Sequence, residues 1–271
     1  MSVIETALSK LKSSGARHST EARAQQRRVK VSDHAAATHQ PTRQFLPATI
    51  DTVAMERNRI LPQVADQAAL RAYKILRTRL LQRLSANQWK SVAVTGTESG
   101  QGKTLTAINL SIALAQDPNT RVCLVDLDLQ RPQVAAQMGL GFKFGLGEYL
   151  LGSCEAQQII YESGIPRLVV IPNSKMFEHS SEMLAGARTL ELLQVIEAEM
   201  PHHIVIFDMP PLLLADDVLT FAPQVDAVLL VIAEGMTQRA MAEKAKEILA
   251  DMNLVGVVLN RSSERDSSAY Y

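Results

Sequence analysis

The chain has 271 residues, of which 46% are hydrophobic, so we expect one main domain with a sizeable core and some additional segments. Lysine plus arginine and aspartate plus glutamate both number 28, and this balance argues against nucleic acid as the principal partner. Cys123 and Cys154 are too few for a disulfide framework and are typical of a protein of the reducing cytosol. No signal peptide is predicted, and the apolar stretches are too short for a membrane-spanning helix.

The composition of successive segments predicts a short helix and a linker before the main domain. An amphipathic helix is predicted over 1–14, because its apolar residues share one helical face and Ser2 and Glu5 have capping-box spacing. Residues 15–50 are polar, with scattered arginine, histidine and proline, which predicts a flexible linker. The main domain is predicted over 51–262, followed by a polar tail over 263–271 that carries tyrosines.

From residue 91 onward, strand-like and helix-like segments alternate, after a helical repeat of apolar residues between 69 and 84. This alternation predicts an α/β fold with a mostly parallel sheet that has helices on both faces. The predicted strands are 91–95, 121–126, 167–171, 204–208, 226–232 and 254–259. The predicted helices in this part are 104–115, 181–199, 216–221 and 238–252.

The turn after the first of these strands has the pattern of a phosphate-binding loop. From Gly96 it reads Gly-Thr-Glu-Ser-Gly-Gln-Gly-Lys-Thr, between a strand and a helix start. Main-chain N–H groups in such a turn can bind phosphate oxygens, while Lys103 adds positive charge and Thr104 can ligate Mg²⁺. Thr97 stands where the usual pattern has its first glycine, and we expect Gly96 and Gly100 to supply the flexibility. An ordinary glycine-rich connection is the competing interpretation.

Acids end two of the predicted strands. Asp126 ends one and is followed by Asp128, and Asp208 ends a later one. These positions fall at the edge where open α/β sheets bind ligands. Beside a metal–phosphate complex, such carboxylates can hold the ion, orient its waters or accept a proton. Each acid taken singly could instead cap a helix or pair with Arg131.

Six stretches of the chain then match the pattern of one family. They are the opening Ser2-Val3-Ile4-Glu5, the segments 73–78 and 100–104, 125–129 with Arg131-Pro132, the segment 207–211, and 256–261. The chain resembles the bacterial tyrosine kinases of polysaccharide export, a branch of the MinD/ParA-like P-loop proteins. It is most similar to the free-standing autokinases of exosortase/PEP-CTERM systems. The resemblance implies a P-loop NTPase fold of the deviant-Walker (SIMIBI) type.

The resemblance implies ATP-dependent autophosphorylation of tail tyrosines, in trans within a ring-like oligomer. The acceptors would be Tyr270 and Tyr271, which stand in a polar segment that has nothing to bury them. Asn260 matches the position that reads the adenine amino group in this superfamily, with a turn-forming asparagine as the alternative.

The resemblance also assigns roles at the phosphate site. Lys103 would bind the phosphates, while Thr104, Asp128 and Asp208 would hold Mg²⁺ directly or through water. Asp126 would accept the tyrosine proton, and the choice between Asp126 and Asp128 for this role stays open. The residues expected to contact ATP are Ser99, Gly100, Gln101, Gly102, Lys103, Thr104, Leu105 and Asn260.

Three positions depart from the family pattern. The family has arginine two residues after the second acid, where this chain has Gln130. That arrangement is similar to the ParA partition ATPases, but Glu98 occupies the place of their signature lysine and excludes membership of that branch. Arg71 replaces the acid of the oligomerisation helix and removes the salt bridge expected between neighbouring subunits. Ring assembly is therefore not implied by this helix.

Two functions of different classes follow. The first is an autophosphorylating protein-tyrosine kinase that regulates exopolysaccharide polymerisation and export. Its partner would be the cytoplasmic tail of a membrane polysaccharide co-polymerase, which would place it at the inner face of the plasma membrane. The second is a nucleotide-gated switch that recruits a partner or membrane surface, with the N-terminal helix as a docking element. No zinc site is predicted, since His179, His202 and His203 lack ligand spacing with the cysteines.

Overall fold

The computed structural model of the protein describes residues 45–63 and 66–262. The predicted N-terminal helix over 1–14 and most of the predicted linker lie outside the described residues. The predicted tail over 263–271, with Tyr270 and Tyr271, also lies outside them. Within the described ranges, no helix has both the length and the hydropathy of a membrane span.

Short strands and helices alternate along this part of the chain. The strands are β1 (Leu46–Pro47), β2 (Thr49–Ile50), β3 (Ser91–Gly96), β4 (Arg121–Asp126), β5 (Leu140–Gly141), β6 (Tyr161–Glu162), β7 (Leu168–Ile171), β8 (His203–Asp208), β9 (Ala227–Ala233) and β10 (Leu254–Asn260). The helices are α1 (Thr52–Arg57), α2 (Gln67–Asn87), α3 (Lys103–Ala115), α4 (Val134–Met138), α5 (Leu146–Leu150), α6 (Ser180–Ala185), α7 (Ala187–Glu199), α8 (Asp217–Phe221) and α9 (Arg239–Ile248).

The main sheet has eight strands in the order β1-β6-β7-β4-β8-β3-β9-β10. Its neighbouring strands run parallel, except that β6 and β7 are antiparallel. A separate antiparallel pair joins β2 to β5. The predicted α/β fold with a mostly parallel sheet is confirmed. Because β3 lies between β8 and β9, the loop that follows it lies at the carboxyl edge of the sheet, away from the outermost strands.

The sheet has an apolar core on each face, as expected for parallel strands covered by helices. Val92 and Val94 of β3 belong to one core and Ala93 to the other, because successive side chains point to opposite faces. Helices α1 to α4 cover the face of Val92 with Met55, Leu80, Ile108 and Met138. Helices α5 to α9 cover the opposite face with Leu146, Leu184, Ile196, Phe221 and Ala245. Both faces are therefore covered, and the carboxyl edge of the sheet is left for a site.

Two predicted helices are wrong in their extent. The predicted helix over 181–199 is divided at Gly186, whose backbone is extended (φ −68°, ψ 157°). A side chain there would lie 3.1 Å from the carbonyl oxygen of Met183, so the close approach favours glycine. The predicted helix over 238–252 ends at Ile248, because Leu249 leaves the helical conformation and is buried at 2% exposure.

The strands β1 and β2 occupy the last residues of the predicted linker, which ends at residue 50. The N–H of Leu46 donates to the carbonyl of Ile160 (3.2 Å), and that of Ala48 donates to Glu162 (3.1 Å). Residues 45–50 read Phe-Leu-Pro-Ala-Thr-Ile, and Phe45, Ala48 and Ile50 pack against the two cores of the sheet. This short apolar stretch follows a long polar segment, and the predicted linker included it.

Asp226 fixes the start of β3, the strand that leads to the phosphate loop. Its Oδ2 accepts hydrogen bonds from the main chain of Lys90 (2.8 Å) and Ser91 (3.0 Å) and from the Ser91 hydroxyl (2.9 Å). We expect Asp226→Ala to lower the free energy of unfolding by about 1–3 kcal/mol, because these donors lose their acceptor. Urea denaturation measures the change, with the exposed Asp251→Ala as control. Equal stability of the two variants would contradict this role.

Candidate active site

The loop between β3 and α3 has the main-chain conformation of a phosphate-binding turn. Gly100 and Gly102 have positive φ angles of 80° and 87°, which favour glycine. Gly102 is the residue immediately before α3, so the first N–H groups of the helix belong to Lys103, Thr104 and Leu105. These N–H groups have no intrahelical acceptor, and the helix N-terminus favours an anion. The predicted phosphate site therefore has the expected local geometry.

Gln101 braces the beginning of this loop. Its side chain is 1% exposed, and its Oε1 accepts hydrogen bonds from the main chain of Thr97 (2.8 Å) and Glu98 (3.1 Å). Its Nε2 donates to the hydroxyl oxygens of Thr97 (2.6 Å) and Thr237 (2.8 Å). At Gly96 an added Cβ would lie 2.7 Å from Gln101 Oε1. The position that requires glycine is therefore Gly96, one residue before the first glycine of the usual pattern. Thr97, which stands at that usual position, accepts a hydrogen bond through its hydroxyl.

A cleft of about 580 Å³ opens beside the loop. Its walls come from the segments that follow three neighbouring strands, β4, β8 and β3. The lining residues are Ser99, Gly100, Gly102, Lys103, Thr104, Leu105, Asp128, Gln130, Arg131, Gln133, Gln137, Pro211 and Leu214. Its size falls within the range of ordinary small-molecule sites.

Asp126 and Asp208 lie opposite each other at the ends of β4 and β8, and both are fully buried. Burial raises the pKa of Asp208 to about 7, although the Thr104 hydroxyl and the Lys103 ammonium oppose the shift. Burial, and then the charge of Asp208, raise the pKa of Asp126 well above its ordinary value. Asp126 Oδ1 and both Asp208 oxygens have no hydrogen-bond partner of normal geometry. Such oxygens favour a bound cation.

A magnesium ion fits the donors at this edge. Magnesium usually binds one or two carboxylates together with waters and substrate phosphates. Thr104 and Asp128 line the cleft, and Asp208 lies close enough to the Thr104 hydroxyl for the hydroxyl to lower its pKa. Across 45–63 and 66–262, no three His, Cys, Asp or Glu residues cluster as a metal site by themselves. The protein thus offers part of a coordination shell, which phosphate oxygens and waters would complete.

The two candidate proton acceptors have different surroundings. Asp126 accepts hydrogen bonds through Oδ2 from the main chain of Gln133 (3.1 Å) and Val134 (3.0 Å), at the start of α4. Asp128 lines the cleft and accepts a hydrogen bond from the main chain of Arg131 (2.9 Å). Burial raises the pKa of Asp128, and this N–H group and the Lys103 ammonium oppose the shift. Only Asp128 of this pair borders the cleft among the residues described.

Asp217 is a buried acid near the site that the sequence analysis missed. Its Oδ2 accepts a hydrogen bond from Gln130 Nε2 (3.1 Å), and the same nitrogen donates to the Ser180 hydroxyl (3.1 Å). Its charge also raises the pKa of Asp128. An aspartate at a helix start is common as a cap, so the sequence does not separate this residue from ordinary capping acids. Gln130, at the position of the family arginine, thus bonds to a buried carboxylate.

Asn260 lies against the phosphate loop. Its Nδ2 donates to the carbonyl of Gln101 (2.8 Å), and its Oδ1 accepts from the main chain of Arg261 (2.8 Å). The Arg261 guanidinium donates to the carbonyl of Gly100 (2.8 Å). The end of β10 therefore supports the loop, and the role of Asn260 in reading adenine stays a prediction.

The predicted site residues within the described chain converge on the carboxyl edge of the sheet. The phosphate loop follows β3, the acids end or follow β4 and β8, and Asn260 ends β10. The Lys103 ammonium lies near enough to Asp128 and Asp208 to lower the pKa of both. The first residue of α3 thus brings a positive charge near these acids, and phosphate groups also bind such charges.

Comparison with known proteins gives a consistent result. The family model of the CobQ/CobB/MinD/ParA nucleotide binding domain matches residues 92–271. Tyrosine-protein kinase YwqD of Bacillus subtilis (strain 168) is 32% identical over 221 residues, which cover 80% of this chain and 92% of YwqD. Tyrosine-protein kinase CpsD of Streptococcus agalactiae serotype Ia is 29% identical over 195 residues, which cover 71% of this chain and 82% of CpsD. The solved kinase domain of the Escherichia coli tyrosine kinase ETK has 28% identity and a TM-score of 0.65, covering 73% of this chain and 77% of that domain.

Removal of the Gln101 brace is expected to weaken nucleotide binding. In Gln101→Ala the main-chain N–H groups of Thr97 and Glu98 lose their acceptor, and the loop loses its fixed shape. We expect the Kd for ATP with Mg²⁺ to rise about tenfold or more, measured by titration calorimetry. Gln116→Ala, an exposed change at the other end of α3, is the matched control. Unchanged affinity in Gln101→Ala with an intact fold would contradict the bracing role.

Replacement of Asp208 is expected to stabilise the nucleotide-free and metal-free protein at alkaline pH. The raised pKa of about 7 means that the contribution of Asp208 to stability is full below its unfolded pKa of about 3.9 and is lost as pH rises through 7. The stability of Asp208→Asn relative to the unchanged chain should therefore increase by about 1–3 kcal/mol between pH 5 and pH 8. Urea denaturation at both pH values tests this. The exposed Asp216→Asn should show no such trend, and a flat difference for Asp208→Asn would refute the assignment.

Proposed function

Because this chain belongs to the CobQ/CobB/MinD/ParA nucleotide-binding family, and within it to the tyrosine-protein kinases, we propose that it transfers the γ-phosphate of ATP to protein tyrosines. One observation carries the proposal most directly. Lys103 begins the helix after the phosphate loop and lines an open cleft together with Asp128, and its charge lowers the pKa of both Asp128 and Asp208. Phosphoryl transfer depends mainly on positioning and on neutralising phosphate charge, which this arrangement provides.

ATP would bind with its phosphates in the loop. The main-chain N–H groups at the start of α3 and the Lys103 ammonium would hold the phosphate oxygens. Thr104, Asp128 and Asp208 would hold Mg²⁺ directly or through water. When bound, Mg²⁺ neutralises charge on the phosphate oxygens during transfer. Asn260 would contact the adenine from its place beside the loop.

Asp128 is the better placed group to accept the tyrosine proton. The phenol oxygen would form a bond to the γ-phosphorus while the bond from that phosphorus to the ADP oxygen breaks. The phenol proton would pass to the Asp128 carboxylate, which borders the cleft. Asp126 lies behind it with one oxygen bonded to the start of α4, and it remains the second candidate.

We further propose that the activity regulates exopolysaccharide polymerisation and export through the cytoplasmic tail of a membrane polysaccharide co-polymerase. Such a partner would bring the chain to the inner face of the plasma membrane. The acceptors would be Tyr270 and Tyr271 of this chain or of a second copy in a homo-oligomer. A nucleotide-gated switch without tyrosine transfer is the less favoured alternative, because relatives at 32% and 29% identity are named tyrosine-protein kinases.

The proposal predicts phosphotyrosine on the purified chain. Incubation with γ-labelled ATP and Mg²⁺, with and without the co-polymerase tail, should label the protein on tyrosine. Lys103→Ala should lower the labelling rate at least about 100-fold, because the phosphate charge loses its buried partner. Lys244→Ala, an exposed change on α9, should leave the rate unchanged.

Further variants separate the acceptor assignment from the activity. The double change Tyr270→Phe and Tyr271→Phe should remove the label but leave ATP binding intact. Label that persists in this double variant would show that the acceptors lie elsewhere. ATP hydrolysis without any tyrosine label, even with the partner tail present, would favour the switch.

A further inference from the structure

An exposed leucine stands at the mouth of the cleft. Leu214 lines the cleft yet is 62% exposed, unlike the apolar residues just before it such as Leu212, which is 3% exposed. Isolated exposed leucines need no explanation on an ordinary surface. Among the described residues that line the cleft, Leu105 and Pro211 are the other apolar side chains, and the rest are charged, polar or glycine.

The turn that carries Leu214 is fixed to the phosphate loop. The N–H of Leu212 donates to the carbonyl of Gly96 (2.8 Å), and that of Leu214 donates to the carbonyl of Pro211 (3.2 Å). The Thr95 hydroxyl donates to the carbonyl of Pro210 (2.7 Å). The leucine is therefore held in an exposed position by a bonded turn, and its exposure is a feature of the fold.

The sheet order separates Leu214 from the end of the cleft proposed for adenine. Leu214 follows β8, whereas Asn260 ends β10, and β3 with its phosphate loop lies between them. Asp128, the proposed proton acceptor, follows β4, which is the neighbour of β8 on the far side from β3. Leu214 and Pro211 thus belong to the side of the cleft where the phosphoryl group would leave the nucleotide.

The reacting groups are recessed below this mouth. Lys103, Asp128 and Asp208 are 7%, 6% and 0% exposed, whereas Leu214 is 62% exposed. An acceptor whose main chain stays outside must therefore extend a side chain inward. A tyrosine hydroxyl stands several bonds farther from the main chain than a serine hydroxyl, and its ring offers apolar surface to the wall it passes.

We propose that Leu214 and Pro211 form the contact surface for the ring of the acceptor tyrosine. This contact, together with the recessed position of the acids, selects tyrosine over serine and threonine. The occupant is a tyrosine of the segment 263–271, Tyr270 or Tyr271. The Arg261 guanidinium donates to the carbonyl of Gly100, which lines the cleft, and the chain beyond it can extend by up to about 3.6 Å per residue, so tyrosines of this segment can reach the cleft. The inference rests on the proposed kinase function and adds the residues that recognise its acceptor.

The test uses the full chain with Tyr270→Phe and Tyr271→Phe as the enzyme and a synthetic peptide of residues 261–271 as the acceptor. Adding Leu214→Ala should raise the KM for the peptide about five- to tenfold and leave kcat and the KM for ATP within about twofold, since only the ring contact is lost. Leu214→Met should restore most of the affinity. Leu219→Ala is the control, because Leu219 is 43% exposed on α8 and does not line the cleft.

The outcomes of this test distinguish the inference about Leu214 from the proposed kinase function. An unchanged peptide KM in Leu214→Ala would overturn the inference, and so would an equal rise in the KM for ATP, which would show a nucleotide contact. A chain that labels itself but not the peptide would overturn it too, since an open mouth must admit a free tyrosine. A peptide with serine in place of both tyrosines should accept no phosphate, and equal labelling of it would refute the selection. Failure of the unchanged chain to label any tyrosine would instead refute the kinase function.

Discussion

The carboxyl edge of the sheet buries more acidic side chains than basic ones. Asp126, Asp128, Asp208 and Asp217 are all buried there, and Lys103 is the one buried lysine or arginine in the part of the chain that the structure describes. Buried carboxylates without counter-charges are costly, and the raised pKa values of three of them express that cost. The fold can sustain it because apolar cores on both faces of the sheet hold the strand ends in place. Ligands that bring compensating charge are therefore coupled to the stability of the domain.

The sequence was sufficient to predict the central strands and the phosphate loop, because their signals are local. An apolar run that ends in an acid predicts a buried strand and its functional edge together, as at Asp126 and Asp208. The glycines, lysine and threonine of the loop act through main-chain geometry within a few residues, so spacing alone identifies them. The sheet class follows from the alternation of such strands with helices.

The remaining features depend on contacts between distant parts of the chain. Gln101 binds Thr237 across 136 positions, and Gln130 binds Asp217 across 87, so neither pair leaves a pattern in the sequence. The strands β1, β2, β5 and β6 are two residues long each, which is too short for the alternating pattern that predicts a strand. The choice between Asp126 and Asp128 likewise depends on which one borders the cleft, and that depends on the start of α4.

The hydrogen bonds from Asn260 and Arg261 to the carbonyls of Gln101 and Gly100 tie the end of the final strand to the predicted phosphate loop. Residue 261 takes up a left-handed conformation (φ 56°) in making this contact, so the chain turns there as it leaves the sheet. The shape of this loop therefore depends on residues that follow it by about 160 positions in the chain.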